Sequence, residues 1–346
     1  MLDIAMRLIG SERFSRHQPP DGHPEQPARA LAMANVSRRW VEAGGLLTPP
    51  RVATRDELIR LHSPSYVDRM AQTAGRQLQH DPDTYTSPDS YDVARLAAGA
   101  AIAAVEFVLA EGTSAMAFVR PPGHHAEADR AMGFCLFNNV AVAAASARAA
   151  GLDRVAVVDY DVHHGNGTQW MFYDDPTVLY VSLHQYPFYP GTGAVNDVGR
   201  SDGLGFTLNV PLQAGAGDAD YDRAMRELVE PVVTAFDPEL ILLSAGYDAH
   251  VRDPLGGMQV SAEGYMAMTA HVQRLAARCC GDRMAAVTEG GYNLSALESC
   301  LDLTLQQLAG RPTAMDQPLR GDTSRIDEVI PVVKRAHAPY WPGVLS

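Results

Sequence analysis

The stretch 154–168 reads RVAVVDYDVHHGNGT. After Arg154, residues 155–158 are apolar and largely β-branched, which predicts that residues 154–158 form a fully buried strand of a parallel sheet. Charged and imidazole side chains begin where this strand ends, and in open α/β sheets ligands bind at that carboxyl edge. Asp161 and His163 lie two positions apart, so both side chains leave an extended chain on one face. Such a pair is typical of a transition-metal site, although a lone pair of this kind also occurs in ordinary polar loops.

Strand and helix patterns alternate along the chain around this stretch. The predicted strands are residues 115–119, 154–158, 178–183, 206–210, 240–244 and 284–288. The predicted helices between them are residues 138–150, 168–173, 218–235, 262–279 and 293–308. This alternation predicts an α/β fold with one central, mostly parallel sheet and helices on both faces.

The first hundred residues read mainly as helices joined by loops. Pro27 lies near the start of a helix, Thr54 and Glu57 form a capping box, and Ser63 begins another helix. Residues 92–110 are apolar nearly all round and predict a buried helix.

Two further segments carry turn-forming residues. Residues 80–90 are rich in Asp, Pro, Thr and Ser and predict an ordered surface loop. After Gly310 the chain becomes Pro-rich. We expect residues 311–346 to wrap a single domain of residues 1–346 and not to form a second one.

Composition limits the classes of function. The formal charge is −13, from 28 basic and 41 acidic residues, and no Lys/Arg-rich run is present. Direct nucleic-acid binding is therefore not expected. An acidic chain attracts cationic substrates, but ordinary solubility explains the same charge.

The cysteines and the hydropathy pattern bear on the compartment. The four cysteines lack zinc-finger spacing, and the adjacent pair Cys279 and Cys280 is poorly suited to an internal bridge. Reduced thiols in the cytoplasm are the expectation. We find no signal-peptide pattern and no apolar stretch of about 18 residues that predicts a membrane span.

Four predicted strands end in polar segments. These are RPPGHH at 120–125, DYDVH at 159–163, AGYD at 245–248 and EGGYN at 289–293. Because the carboxyl ends of parallel strands meet at one edge of a sheet, these segments are expected to lie together.

The side chains of these segments suggest a catalytic metal site. Asp161, His163 and Asp248 would supply three ligands and leave a fourth position open, so that the metal lowers the pKa of bound water to about 7. His124 and His125 are candidates for general base and general acid.

The same segments supply supporting groups. Tyr292, on a Gly-Gly turn, could donate its hydroxyl to a developing oxyanion. Asp159 and Asn166 could orient the two imidazoles. Each residue alone has an ordinary explanation, as an incidental His pair, a helix cap or a packed ring, but four segments on neighbouring strand ends are far more specific.

Together these segments resemble the histone deacetylase family, which includes bacterial histone-deacetylase-like amidohydrolases and acetylpolyamine amidohydrolases. The resemblance covers residues 23–308 and rests on RPPGHHA, GFCLFNN, DYDVHHGNGT, SAGYD and EGGYN. It implies an arginase-like three-layer fold and hydrolysis of N-acetylated amines. It implies zinc, with ferrous iron as an alternative in the cell, at Asp161, His163 and Asp248.

The resemblance also implies roles for individual residues. It makes His125 the general base and acid, His124 its electrostatic partner, and Tyr292 the group that polarises the acetyl carbonyl. It implies an acyl-lysine tunnel, and the residues that would bind substrate there are Gly133 through its carbonyl, Phe134, Tyr189, Leu255 and Gly291. It implies a structural potassium ion near Asp159, Asp161, His163, Ser182 and Leu183.

One position refines the expected subclass and another the expected substrate. Asn166 is typical of class II and bacterial members, whereas class I members carry Asp. The polyamine-selective eukaryotic member has Glu at the position that matches Leu255, so Leu255 favours acetyl-lysine peptides over acetylpolyamines. Acetylpolyamines and other small amides remain alternatives, and a homo-oligomer is compatible with the sequence.

Two other functions are less compatible with the residues. A two-manganese ureohydrolase wants more carboxylates, yet Gly165 stands four residues beyond Asp161 and His250 stands two beyond Asp248. A catalytically silent acyl-ligand binder has no need of the complete catalytic set that this chain retains.

Overall fold

The computed structural model describes residues 6–310, 319 and 321–345. In chain order its strands are β1 (Arg7–Ile9), β2 (Leu46–Thr48), β3 (Leu78–Gln79), β4 (Tyr85–Thr86), β5 (Ala115–Ala117), β6 (Val155–Asp159), β7 (Val178–Gln185), β8 (Thr207–Leu212), β9 (Leu240–Ala245) and β10 (Met284–Thr288). Eight of them form one parallel sheet in the order β2-β1-β5-β10-β9-β6-β7-β8.

The α-helices of the described residues surround this sheet. They are α1 (Pro27–Glu42), α2 (Arg55–Leu58), α3 (Pro64–Ala71), α4 (Ser90–Glu111), α5 (Asn139–Ala149), α6 (Asn166–Phe172), α7 (Asp218–Ala224), α8 (Glu230–Phe236), α9 (Ala262–Cys280), α10 (Leu294–Leu308), α11 (Ser324–Asp327) and α12 (Val329–His337). One π-helical turn, Met225–Val229, joins α7 to α8. The predicted helix 218–235 is therefore continuous apart from this turn.

The central strand β6 explains why helices cover both faces of the sheet. All five of its residues are buried, and it pairs with β7 on one side and with β9 on the other. Ala156 and Val158 belong to one hydrophobic core, while Val155 and Val157 belong to a second. Alternate residues of a strand point to opposite faces, so the uninterrupted apolar run predicted this layer on each side. The expected three-layer α/β fold is confirmed.

Local helix signals agree with the observed helix ends. The Thr54 hydroxyl accepts a hydrogen bond from the Glu57 amide, and the Glu57 carboxylate accepts one from the Thr54 amide at 2.8 Å. Ser63 caps α3 in the same way through the Tyr66 amide. Side-chain oxygens satisfy amide groups that the first turn of a helix leaves unpaired.

Several short elements were missed in the first hundred residues. β1 and β2 have three residues each and extend one edge of the sheet, although this region reads as helices and loops. The expected loop 80–90 contains β4, which pairs with β3 as an antiparallel hairpin. Strands of two or three residues are too short to show a period in sequence, so only pairing defines them.

The expectation that no apolar stretch is long enough to span a membrane is corrected by the helix α4. By length and composition it is apolar enough to cross a membrane, yet 67% of its most apolar window is buried inside the protein. Core helices pass the same test, so this is weak evidence for a span. The four cysteines are all free thiols.

The C-terminal residues that the structure describes pack on the far edge of the sheet. α12 lies against β8, and α11 lies against α7. Ile326 and Val333 are fully buried in the core, and the Trp341 indole donates to the Gly205 carbonyl at 2.9 Å. Residues 311–318, 320 and 346 of the expected tail lie outside the described residues.

Candidate metal centre and tunnel

The four polar segments meet where the sequence places them. β5, β10, β9 and β6 are consecutive neighbours in the middle of the sheet, and each segment follows the carboxyl end of its strand. Asp161 follows β6, Asp248 follows β9, Tyr292 follows β10 and His124 follows β5.

Asp161, His163 and Asp248 form a buried cluster whose ligand atoms all lie within 4.8 Å of one another. His163 Nδ1 lies 3.2 Å from Asp161 Oδ1 and 3.0 Å from Asp248 Oδ2. The other Asp161 oxygen accepts the Gly290 amide at 2.8 Å, and the other Asp248 oxygen accepts the Val162 amide at 2.9 Å. Two oriented carboxylates and one imidazole are a donor set that fits a divalent transition metal.

The charges of the cluster support this fit. Burial alone would lower the pKa of His163, but Asp248 and Asp161 outweigh it and raise that pKa to about 10. Burial and the nearby Asp161 raise the pKa of Asp248 to about 7. One imidazolium therefore does not balance two buried carboxylates, and a divalent cation in place of the proton would do so.

Glycines allow the carboxylates to approach the backbone this closely. A Cβ at Gly246 would lie 1.9 Å from Asp161 Oδ2, and a Cβ at Gly290 would lie 2.2 Å from Asp248 Oδ2. Any side chain at these two positions would displace a ligand carboxylate.

His124 and His125 differ in protonation. Burial lowers the pKa of His124, but Asp161 and Asp159 outweigh it and raise that pKa to about 10. His124 Nδ1 lies 3.1 Å from Asp159 Oδ2. Burial and the charges of His124 and His163 hold the pKa of His125 well below its usual range. His124 is therefore charged and His125 is neutral. A general base must be neutral to accept a proton, so His125 is the one of the two that can act as the base.

Asn166 fixes which nitrogen of His125 is free. Its side-chain amide donates to Glu127 Oε1 at 2.8 Å, so its oxygen faces His125 Nδ1, also at 2.8 Å. An amide oxygen only accepts, so Nδ1 carries the proton and Nε2 is left to accept one.

Tyr292 is held from two sides. The Asp253 carboxylate accepts the Tyr292 amide at 2.6 Å and the Asn293 amide at 3.1 Å. The Arg29 guanidinium lies 4.9 Å from the Tyr292 ring centre and donates to the Gly291 carbonyl at 2.7 Å. Burial raises the pKa of Tyr292 well above its usual range, so the phenol stays a proton donor.

A tunnel of about 230 Å³ leads to these groups. Its walls are Asp83, His125, Gly133, Phe134, His163, Phe188, Tyr189, Leu255 and Tyr292. Four of the five residues expected to bind substrate line it, and Gly291 does not, because its carbonyl points to Arg29. Phe134 has φ +68°, a strained conformation for a non-glycine residue.

Phe188 and Asp83 are wall residues that the sequence reading missed. The Phe188 ring is stacked on His163 with 5.4 Å between ring centres. Phe188 directly precedes Tyr189, so the same sequence segment could have suggested it. Asp83 lies in the hairpin β3–β4, whose place beside the tunnel depends on tertiary contacts.

The residues expected around potassium lie at adjacent strand ends. Asp159 of β6 is paired in register with Ser182 of β7, and Leu183 follows Ser182. Ser182 and Leu183 are fully buried, as are Asp159 and Asp161. The ion itself stays a prediction.

Two buried acidic residues that support the site, Glu25 and Glu289, were also missed. Glu25 binds Arg29 at 3.0 Å and Arg120 at 2.5 Å, and all three side chains are fully buried. Burial would raise the pKa of Glu25, but Arg120 and its neighbours lower it to about 2. The Glu25–Arg120 contact joins residues 95 positions apart, which no local pattern reveals.

Glu289 ties three strand ends together. Its carboxylate accepts the Gly123 amide at 2.6 Å, the His124 amide at 3.2 Å and the Ser244 hydroxyl at 2.8 Å. It therefore fixes the loop that carries His124 relative to β9 and β10.

The positions that would build a second metal site are occupied otherwise. His250 Nδ1 accepts the Arg252 amide at 3.0 Å, and Gly165 offers no ligand. Within the described residues, Asp161, His163 and Asp248 are the one group found with metal-binding geometry.

Comparison with known proteins gives consistent matches. The family described as Histone deacetylase domain matches residues 23–308. Polyamine deacetylase HDAC10 of Homo sapiens is 42% identical over 345 residues, 94% of this chain and 50% of that protein. The Histone deacetylase-like amidohydrolase of Pseudomonas aeruginosa is 42% identical over 314 residues, 88% of this chain and 82% of that protein.

A solved structure agrees with these matches. The crystal structure of the HDA15 HD domain is similar with a TM-score of 0.91 and 37% identity, covering 98% of this chain and 96% of that one. This chain spans half the length of the human relative and most of the bacterial one.

Proposed function

The chain belongs to the histone deacetylase family, and on that premise we propose that it hydrolyses N-acetylated amines to acetate and free amine. Acetyl-lysine side chains are the proposed substrates. The observation that carries the proposal is the tunnel, which ends at the cluster of Asp161, His163 and Asp248 with His125 and Tyr292 in its walls.

We propose zinc as the metal, held by Asp161, His163 and Asp248, with ferrous iron as the alternative in the cell. When bound, such a metal supplies Lewis-acid chemistry that activates water and polarises the acetyl carbonyl. The oxygen and nitrogen ligands and their burial support this choice.

His125 carries the proton transfers. Its neutral state and its free Nε2 suit it to take a proton from the attacking water. It then returns that proton to the leaving amine nitrogen, since the amine departs only after protonation. The charged His124 beside it, with ring centres 4.0 Å apart, stabilises the developing negative charge.

Tyr292 completes the arrangement. Its phenol donates a hydrogen bond to the carbonyl oxygen as that oxygen gains negative charge. Phe134 and Phe188 line the tunnel with apolar rings that suit a linear methylene chain, and the Gly133 carbonyl would accept the substrate amide N–H.

Acetylpolyamines are the second candidate substrate, favoured by the 42% identity to a human protein named as a polyamine deacetylase. Leu255 at the tunnel wall argues for acetyl-lysine instead, since an apolar side chain offers nothing to a distal ammonium. A potassium ion near Asp159 and Ser182, a cytoplasmic location and a homo-oligomer stay predictions.

The decisive experiment measures acetate release by zinc-reconstituted protein from an acetyl-lysine peptide and from acetylputrescine, side by side. We expect turnover of both, with higher kcat/KM for the peptide. Release of urea from a guanidino substrate with manganese would instead support the ureohydrolase. Binding of acetyl-lysine peptide without turnover would support the silent binder.

A further inference from the structure

A second cavity, of about 400 Å³, lies beside the tunnel. Its charged and imidazole wall residues are Arg69, Arg76, His80, Asp129 and Arg130, and we refer to it as the arginine groove. Three arginines against one aspartate make it locally positive in a chain whose formal charge is −13. A local excess of positive charge in an acidic protein favours the binding of an anionic ligand.

The arginine groove and the tunnel share two walls. In the hairpin β3–β4, His80 faces the groove and Asp83 faces the tunnel. In the loop after β5, Ala131 lines the groove and Gly133 lines the tunnel. Two residues of chain span at most about 7 Å and three at most about 11 Å, so the two openings are neighbours.

The arginines differ in how far they are already engaged. Arg130 pairs with Glu127 at 2.7 Å. Arg69 donates to the Asp129 carbonyl at 2.8 Å and lies 5.7 Å from the Tyr66 ring centre. Arg76 is exposed, and its guanidinium has no hydrogen-bond or ion-pair partner among residues 6–310, 319 and 321–345. Arg76 therefore has its whole guanidinium available.

We propose that the arginine groove binds the carboxylate of an Asp or Glu residue one or two positions from the acetyl-lysine of a peptide substrate. This inference rests on the proposed deacetylase function and narrows its substrate class. With the acetyl-lysine in the tunnel, a neighbouring residue starts within about 7 Å of the mouth and its side chain reaches the groove. Guanidinium and carboxylate groups pair with matched geometry.

The same groove disfavours the second candidate substrate. An acetylpolyamine carries ammonium groups along its chain, and the unpaired guanidinium of Arg76 in the groove repels them. Asp83 gives the tunnel side a carboxylate, so the two openings differ in the charge that they present.

The test uses zinc-reconstituted full chain and acetyl-lysine pentapeptides that differ by Glu or Gln at one of the four neighbouring positions. We expect kcat/KM to favour Glu about threefold to tenfold in at least one position, the range of a few exposed ion pairs. This preference shrinks in 0.5 M NaCl, because salt screens exposed charges.

Charge-reversal variants locate the effect. Arg76→Glu should abolish or invert the preference for Glu, and Arg76→Gln should weaken it. Arg278→Glu is the matched control: Arg278 is an exposed arginine in the last turn of α9, shortly before the amino end of β10, whereas the tunnel lies at the carboxyl ends of the strands. It changes the net charge by the same amount, and we expect the preference to persist.

The outcomes separate the two proposals. If no peptide releases acetate, the proposed function fails. If peptides are hydrolysed but Glu and Gln differ by less than twofold at every position, or Arg278→Glu loses the preference as Arg76→Glu does, the groove is not a subsite. Turnover of the Gln peptides by both Arg76 variants shows that they remain folded.

Discussion

Each reactive side chain at the end of the tunnel is held by a fixed hydrogen-bond partner. The two carboxylates of the metal cluster are each fixed by a backbone amide, and His125 is fixed by Asn166. Such fixed partners hold each reactive group in one orientation before substrate arrives. Removing one ligand carboxylate or one hydroxyl should therefore have a specific effect on metal binding or on turnover.

Removing a ligand tests the metal site. Asp248→Ala should abolish turnover and lose the metal, because two ligands remain of three. Metal content by elemental analysis and acetate release measure both effects. Asp202→Ala, at an exposed aspartate in a surface turn, should change neither. Full zinc occupancy with normal turnover in Asp248→Ala would refute the assignment.

Removing one hydroxyl tests the oxyanion donor. Tyr292→Phe should keep metal and fold while kcat falls roughly 10²–10³-fold, the usual scale for one such donor. The control is Tyr221→Phe, the same chemical change at a fully buried tyrosine whose hydroxyl has no partner among the described residues. Activity of Tyr292→Phe within a few-fold of the parent would make Tyr292 a packing residue.

Changing the wall of the tunnel tests substrate class. Leu255→Glu places a carboxylate at a partly desolvated mouth, where it can pair with a distal ammonium. The kcat/KM ratio should move toward acetylspermidine over acetyl-lysine peptide by about 1–3 kcal/mol. Leu255→Gln controls for polarity without charge. A parent that already favours acetylpolyamines strongly would contradict the interpretation of Leu255.

At the scale of elements, the loop after β9 connects substrate binding to the oxyanion donor. One Asp253 oxygen accepts the Leu255 amide at 3.0 Å, and the other accepts the amides of Tyr292 and Asn293. One carboxylate thus ties the tunnel wall to the turn between β10 and α10.

This tie predicts a coupled loss. Asp253→Ala should lower kcat at least tenfold, since unpaired buried amides cost about 1–3 kcal/mol and Tyr292 loses its position. In the Tyr292→Phe background the same change should cost much less, because the donor is already gone. Additive losses in this double-mutant cycle would show that Asp253 acts on the fold generally. Asp202→Ala again serves as the neutral comparison.

The elements also show what sequence can predict. β6 and its neighbours follow from long apolar runs, and the polar residues after them are placed by the rule that parallel strand ends share an edge. β1, β2 and the hairpin β3–β4 have two or three residues each, so no period identifies them. Asp83, Asp253 and Glu289 were missed as site residues for the related reason that their partners are distant in sequence.

For the molecule as a whole, buried neutral histidines link stability to pH. Burial is the main cause that lowers the pKa of His17, His62, His184 and His337 to about 4 each. In the unfolded chain each would titrate near its ordinary value of about 6.5. The unfolded state therefore binds more protons between these values, so stability present at pH 7 is lost as pH falls from about 6.5 to 4.

His337 isolates one such contribution. Both of its ring nitrogens are buried without a hydrogen-bond partner among the described residues, so a leucine there removes little that is favourable. The parent should take up one more proton on unfolding than His337→Leu. The difference in unfolding free energy between them should then shift by up to about 1.4 kcal/mol per pH unit between pH 6 and 4.5. Denaturant titrations of both zinc-loaded proteins measure it, since any effect of metal release is common to both. A difference that stays constant over this range would mean that His337 is already protonated in the folded protein or exposed to water.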